Sequence, residues 1–372
     1  MLWIPGPTEV RPEVLAECSR PAIGHRSQAM KDLIERLDPH LRLAFGLSEN
    51  STAQVAVHSC SASGMMEASL RGVGPRVLCV ENGAFSKRYG QMAEILGKQV
   101  TRIDVTWGAG VTPDQLRDAL EQHGPFDAVT LVSNETSTGV RTPLDSIAGV
   151  MGDFPDTLLL VDLVSYIAGA PVDFDTNGLD FGLAGVQKAF AVPPGVTVFC
   201  ASERYLEHAR GIDAGSWNLD PVKLLEGHVN RKTPATPSTP LYYGLARQLE
   251  DITGGVTLPE AERNKRGAAA WKARFERHER MRVRTAEWAR GHGLALFPGQ
   301  EFLSPTVSCV AAGELDVAHL VAGLAQRGFE ISNGYGDLKG KTFRIGHMGD
   351  HTEEGLEDLL RAADEVLAAA RV

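Results

Sequence analysis

Between residues 50 and 200 short apolar runs alternate with helical stretches, and each run ends in a polar turn. The runs at 53–57, 76–80, 100–105, 128–132 and 157–161 are predicted strands. The stretches at 65–71, 87–96, 113–122 and 146–151 are predicted helices. Such alternation predicts an α/β fold: a mostly parallel sheet with helices on both faces. The run at 157–161 is almost purely aliphatic, as suits a strand covered on both sides. In these sheets ligands bind at the carboxyl ends of the strands. The turns at Ser61, Phe85, Thr136 and Asp162 all follow apolar runs, so they should meet at one crevice.

Lys188 belongs to the same pattern. An apolar run at 179–186 leads into it, Pro193, Pro194 and Gly195 follow, and a β-branched run resumes at 196. The segment reads as strand, turn, strand. A buried ammonium is costly unless paired or neutralised. A lysine joined to a carbonyl as a Schiff base avoids that cost and becomes reactive. A strand-end lysine reaching water accounts for the stretch equally well. The turn from His58 to Gly64 is similarly double-valued. Its small residues ahead of a helix suit a phosphate, but a serine there also serves as a plain helix cap.

Elsewhere, Pro5-Gly6-Pro7 is a fixed-shape loop and 11–20 a short helix. Ser27 is placed to cap a helix over 28–45, whose core face is Met30, Leu33, Ile34, Leu37 and Leu41. After a helix at 203–210 comes a segment read as irregular, 211–240. Helices are expected at 241–252 and 258–291, the second linking two domains. Strands at 306–311, 329–332 and 342–345, with helices at 317–327 and 352–371, predict an α+β end to the chain. The expected division is an N-terminal segment (1–20) lining the active site, a large domain (21–250) and a small C-terminal domain (251–372).

A net charge of −10 argues against nucleic acid or an anionic membrane as general partners. The five cysteines show neither disulfide nor metal-ligand spacing, which suggests a reducing, cytoplasmic setting. No stretch reads as a signal peptide or a membrane span.

Taken together, the motifs resemble the class V aminotransferases, within the fold-type I enzymes that use pyridoxal 5′-phosphate. The branch most similar is alanine–glyoxylate and serine–pyruvate aminotransferase. The resemblance rests on Pro5-Gly6-Pro7-Thr8, Gly24-His25-Arg26-Ser27, the Ser61 turn, Asn82 to Phe85, Glu135 to Gly139, Val161-Asp162, Gln187-Lys188-Ala189, Thr236-Pro237 and Arg344 to Gly349. These occur in the family's order and span nearly the whole chain. The resemblance implies Lys188 as Schiff-base lysine and proton carrier, and Asp162 as partner of the pyridinium nitrogen. It implies Ser61, Ala62, Ser63 and Gln187 as the phosphate cup, Phe85 stacked on the ring, and Thr136 on the phenolic oxygen. Arg344 would anchor the substrate carboxylate, with Gly6, His25 and Arg26 near the substrate. Thr236, or in a second register Thr239, would reach the partner's phosphate in a homodimer. Relatives often carry glycine at Ala62 and tryptophan at Phe85; neither change removes a required function.

The implied reaction moves the amino group of alanine or serine to glyoxylate or pyruvate. A phosphoserine aminotransferase is the alternative, since His25, Arg26, Arg231 and Lys232 could meet a substrate phosphate. A cysteine desulfurase needs a mobile cysteine, whereas Cys309 lies in an apolar run. A subunit without catalysis is disfavoured by intact Lys188, Asp162 and Arg344. Side chains such as Trp217 are expected to set specificity.

Overall fold

The structure is a computed structural model that describes residues 1–369. Two helices open the chain, α1 (Pro12–Cys18) and α2 (Gln28–Phe45). Ser27 Oγ accepts from the Met30 N–H, and Gly46 ends α2 at a φ of 67°. The expected apolar face of α2 is buried.

Strands and helices then alternate: β1 (Gln54–His58), α3 (Ala62–Arg71), β2 (Arg76–Glu81), α4 (Ala84–Ile95), β3 (Gln99–Asp104), α5 (Pro113–His123) and β4 (Ala128–Val132). A small hairpin, β5 (Asn134–Glu135) and β6 (Val140–Arg141), precedes α6 (Leu144–Met151), β7 (Leu158–Asp162), β8 (Phe181–Gly185) and β9 (Thr197–Ala201). Seven strands form one sheet in the order β1-β9-β8-β7-β4-β2-β3. Pairings from β8 through β3 are parallel, while β9 runs antiparallel to both neighbours. The expected strand, turn, strand around Lys188 explains this reversal: residues 186–196 fold the chain straight back from β8 into β9.

Four more helices follow, α7 (Glu203–Arg210), α8 (Pro221–Val229), α9 (Thr239–Thr253) and α10 (Ala268–Gly291). The sheet's two faces take alternate strand residues. Val55, Leu78, Val129 and Leu159 pack with α2, α5, α6 and α9. Ala56, Val77, Ala128 and Leu158 pack with α3, α4, α7 and α8. That two-sided burial is what period-2 side chains in a covered sheet require.

A second sheet follows. Its elements are β10 (Ala295–Leu296), β11 (Val307–Ala311), α11 (Val317–Gln326), β12 (Ser332–Asn333), β13 (Thr342–Gly346) and α12 (Glu353–Ala369). The strand order is β10-β11-β13-β12, antiparallel throughout. The N-terminal segment ties the two sheets together. Gly346 N–H donates to Trp3 O (2.7 Å), and Thr8 N–H donates to Gln187 O (3.0 Å).

Four expectations need correction. The segment 211–240 is not wholly irregular: Asp220 caps α8, accepting from Lys223 N–H at 3.1 Å, with Pro221 at its first position. The helix expected from 258 starts at Ala268, because Gly267 takes a left-handed φ of 56°. Helices α3 and α4 each begin three residues earlier than expected, so Ala62, Ser63 and Phe85 lie on helices rather than in turns. The strand expected at 329–332 is only the short β12. The expected end of the last helix at Arg371 lies outside the described residues. No helix among them is long and apolar enough to cross a membrane.

Candidate active site

The carboxyl ends of β4, β7 and β8 and the first turns of α3 and α4 enclose a cavity of about 160 Å³. Lys188 lines it, three residues past the end of β8. Its Nζ donates to the carbonyl of Pro5. The main chain around it is held on several sides. Thr8 Oγ1 donates to Lys188 O at 2.9 Å, and Arg274 Nη2 donates to Ala189 O at 2.6 Å. Burial, and then the positive charge of Arg344, bring Lys188 down to about 8, against the attraction of Asp162.

Asp162 ends β7 and is 3% exposed. Its Oδ1 accepts from Val164 N–H at 2.7 Å. Burial pushes its carboxyl up to about 7; the Val164 N–H, Lys188 and Arg88 pull it down, and Glu135 pushes it up. Burial disfavours the charged form of this carboxyl, and a cation set against it would lower its pKa again.

Ser61 caps α3, its Oγ accepting from Gly64 N–H at 3.2 Å. Ser61, Ala62, Ser63 and Gln187 all line the cavity. A helix N-terminus with two hydroxyls suits an anion. Phe85 lines the cavity from the first turn of α4, and its ring centroid is 5.7 Å from that of Tyr335. Thr136 also lines it, with its hydroxyl bonded to that of Ser165.

Arg344 lies on β13, only 8% exposed. It links β12 to the turn of the β5–β6 hairpin: Nη1 donates to Thr136 O (3.1 Å), while Nε and Nη2 donate to Asn333 O (3.2 and 3.1 Å). These partners are carbonyls, and among the described residues the guanidinium pairs with no carboxylate. Gly6 has a φ of 103°, and a Cβ there would lie 2.6 Å from Lys188 Nζ.

Other expected residues stand elsewhere. His25 is half-buried and Arg26 exposed just before α2, and neither lines the cavity. Thr236 is exposed in the loop before α9, outside the cavity of its own chain, whereas Thr239 is buried in the first turn of α9. Arg231 pairs with Glu35 at 2.8 Å on the surface, and Lys232 is exposed. Trp217 is 71% exposed beneath Lys223, away from the cavity.

Sequence reasoning missed Arg88, Asn134 and Glu135. Arg88 lines the cavity one helical turn beyond Phe85. Asn134 also lines it; its Nδ2 donates to Ser165 O (3.1 Å), while its buried Oδ1 has no partner. Glu135 is fully buried at the start of α4, accepting from Phe85 and Ser86 N–H (3.1 and 2.9 Å) and from Ser137 Oγ (2.6 Å). The signal for Arg88 is its i, i+3 spacing from Phe85, which a helix starting at 87 rather than 84 leaves out.

This architecture is shared with solved enzymes. The crystal structure of alanine–glyoxylate aminotransferase from Nostoc sp. matches with a TM-score of 0.87 at 29% identity, covering 98% of this chain and 94% of that one. Fold and site thus define a pyridoxal 5′-phosphate-dependent transaminase of the α/β, fold-type I class. The sequence pattern of the family Aminotransferase class-V matches residues 61–301. An uncharacterized aminotransferase of Methanocaldococcus jannaschii is 33% identical over 353 residues, 94% of this chain and 88% of that protein. The L-aspartate–glyoxylate aminotransferase of Paracoccus denitrificans is 29% identical over 378 residues, 99% of this chain and 91% of that protein. The chain belongs to the class V aminotransferase family.

Proposed function

We propose that this aminotransferase moves the amino group of a small amino acid, alanine or serine, to a 2-oxo acid such as glyoxylate or pyruvate. One observation carries the reading. A lysine of lowered pKa and a buried carboxyl of raised pKa share a small cavity, beside an arginine with no carboxylate of its own.

The residues present fit the cofactor. Bound pyridoxal 5′-phosphate supplies an aldehyde that captures amines and a ring that withdraws electrons from the substrate Cα. In the proposed arrangement the phosphate rests on Ser61, Ala62, Ser63 and Gln187 at the α3 N-terminus. Phe85 would lie against the ring, and Thr136 would donate toward its phenolic oxygen. Asp162, ionised by a cation set against it, would hold the ring nitrogen in its protonated form. Lys188 attaches the aldehyde. Once displaced, its amine would carry the proton from the substrate Cα to the aldehyde-derived carbon, the 1,3 shift that leaves the amino group behind, since its neutral form is available near pH 8. The fork of Arg344 exchanges backbone carbonyls for the substrate carboxylate. Gly6 leaves the space in which Lys188 moves.

Two of the proteins named above, the Nostoc and Paracoccus denitrificans enzymes, carry glyoxylate in their names, with alanine and L-aspartate as the respective partners, which supports glyoxylate as acceptor. Aspartate or phosphoserine would need a further cation beside Arg344, and this reading assigns none: His25 is half-buried and Arg26 exposed ahead of α2. Cys309 is 1% exposed within β11 and its thiol is pushed up to about 11 by burial, which disfavours a desulfurase.

The same reading divides the chain at 1–20, 21–250 and 251–372. It makes the active unit a homodimer in which the exposed Thr236 loop serves the partner's phosphate, and sets the enzyme in the cytoplasm. Turnover of alanine, serine, aspartate and O-phosphoserine with glyoxylate and pyruvate tests the donor class. Preference for alanine or serine is expected. A preference for phosphoserine or aspartate overturns the donor, and inactivity with every pair overturns the transaminase assignment.

A further inference from the structure

The phosphate end of the cavity holds a charge problem. A phosphate monoester carries about −1.5 to −2 at neutral pH. Ser61, Ser63 and Gln187 are neutral, and a helix N-terminus supplies only about half a positive charge. Of the two cations that line the cavity, Lys188 is engaged elsewhere, with its Nζ on the Pro5 carbonyl.

Arg88 is the second. It projects from α4 on the same face as Phe85, three residues on. Its Cζ stands 4.9 Å from the centroid of the Phe85 ring, and its Nη1 is 3.5 Å from Ser63 Oγ in the first turn of α3. The guanidinium therefore lies between the residue placed to stack on the cofactor ring and the residues placed to hold its phosphate. It makes no ion pair within the chain among the described residues; its polar contact is the Ser63 hydroxyl. The cavity's one carboxylate, Asp162, ends β7 and belongs to the ring-nitrogen position. A half-buried guanidinium held over an aromatic face, with no carboxylate partner, keeps N–H donors free for an anion. A guanidinium is also the side chain best matched to a phosphate.

We infer that Arg88 is the cationic partner of the cofactor phosphate, completing with a full charge a cup that Ser61, Ser63 and Gln187 form with hydroxyl and amide groups. This rests on the cofactor placement proposed above. It leaves Arg344, against Thr136 and next to Lys188, for the substrate carboxylate.

The test compares two ligands of one ring, pyridoxal 5′-phosphate and pyridoxal, binding to protein stripped of cofactor. Affinities are read from the visible absorbance that each develops on attachment to lysine. For Arg88→Met, affinity for the phosphate form should fall roughly 10- to 100-fold, the range for a hydrogen bond to a charged group. Affinity for pyridoxal should stay unchanged. Arg88→Lys, which keeps a charge, should recover part of the loss. Should Arg88→Met fail to fold by circular dichroism, Arg88→Gln is read in the same way. An equal loss for both ligands would show that Arg88 acts by packing against Phe85, and overturns the inference; so does no loss for either. If the wild-type protein binds neither ligand, the cofactor placement itself fails, a result distinct from a failure at Arg88.

Discussion

Gly6 faces the side chain of Lys188 so closely that a Cβ on Gly6 would lie 2.6 Å from Nζ and 2.8 Å from Cε. The two residues are far apart in sequence, and the bonds from Thr8 to Gln187 O and Lys188 O hold them together. Replacing Gly6 with alanine adds this collision to a φ of 103°, a conformation that costs about 1–3 kcal/mol outside glycine. The Gly6→Ala variant should fold but attach pyridoxal 5′-phosphate at least about tenfold more slowly, as one such strain displaces the lysine. Stopped-flow absorbance with circular dichroism as a folding control measures both. Unchanged attachment would mean that Lys188 needs no free space on this side.

Lys188 is held near 8 by burial and by Arg344. Only the neutral amine attacks an aldehyde. Attachment should therefore speed up with rising pH and level off above about 8. In Arg344→Met a like charge is gone while Asp162 still attracts, so the inflection should move to higher pH. A profile that stays in place would separate the two residues.

Asp162 moves from an ordinary 3.8 to about 7 in the folded protein, chiefly through burial. A carboxyl whose pKa is raised on folding stabilises the fold fully below its unfolded pKa, and that stabilisation is lost as pH rises through the folded one. Without cofactor, Asp162→Asn should therefore gain in melting temperature relative to wild type between pH 4 and pH 8. Calorimetry of the two proteins gives the difference, in which groups distant from Asp162 cancel and Lys188, its coupled neighbour, does not. With cofactor, the same variant should lose turnover by about two orders of magnitude, the usual scale for removing one placed charge.

Glu135 closes the N-terminus of α4 and so fixes Phe85, through bonds to the N–H groups of Phe85 and Ser86. Glu135→Ala leaves those buried donors without a partner and should cost about 3 kcal/mol in urea unfolding. Glu135→Gln, which keeps the shape, should cost less. Equal losses would mean that the charge contributes nothing at this helix end.

The legibility of the site followed the strands. Ser61, Phe85, Thr136, Asp162 and Lys188 each stand just past an apolar run, so alternation alone brought them to one edge of one sheet. Helix α2 was readable at both ends because Ser27 and Gly46 mark them chemically. Gly6 and Arg344 lie at the two ends of the chain, and no local pattern could place them; only the family likeness did. Helix α8 was obscured by the prolines and glycines around it, although Asp220-Pro221 is a sound start signal. Arg88 was lost because the start of α4 was set three residues late. Glu135 was lost because a buried carboxylate that caps a distant helix leaves no mark in its own segment.

The central claim is that Lys188 carries the amino-transfer chemistry of this cavity. The most direct measurement is the absorbance spectrum of the cofactor-loaded protein, and of its Lys188→Ala variant, before and after addition of L-alanine or L-serine. In the wild-type protein the visible band of lysine-bound cofactor should give way to the near-ultraviolet band of its amine form, and glyoxylate or pyruvate should restore it. In Lys188→Ala the lysine-bound band should be missing and the cycle should stall. A wild-type protein with no visible band after loading, or a Lys188→Ala protein that cycles like the wild type, would contradict the account.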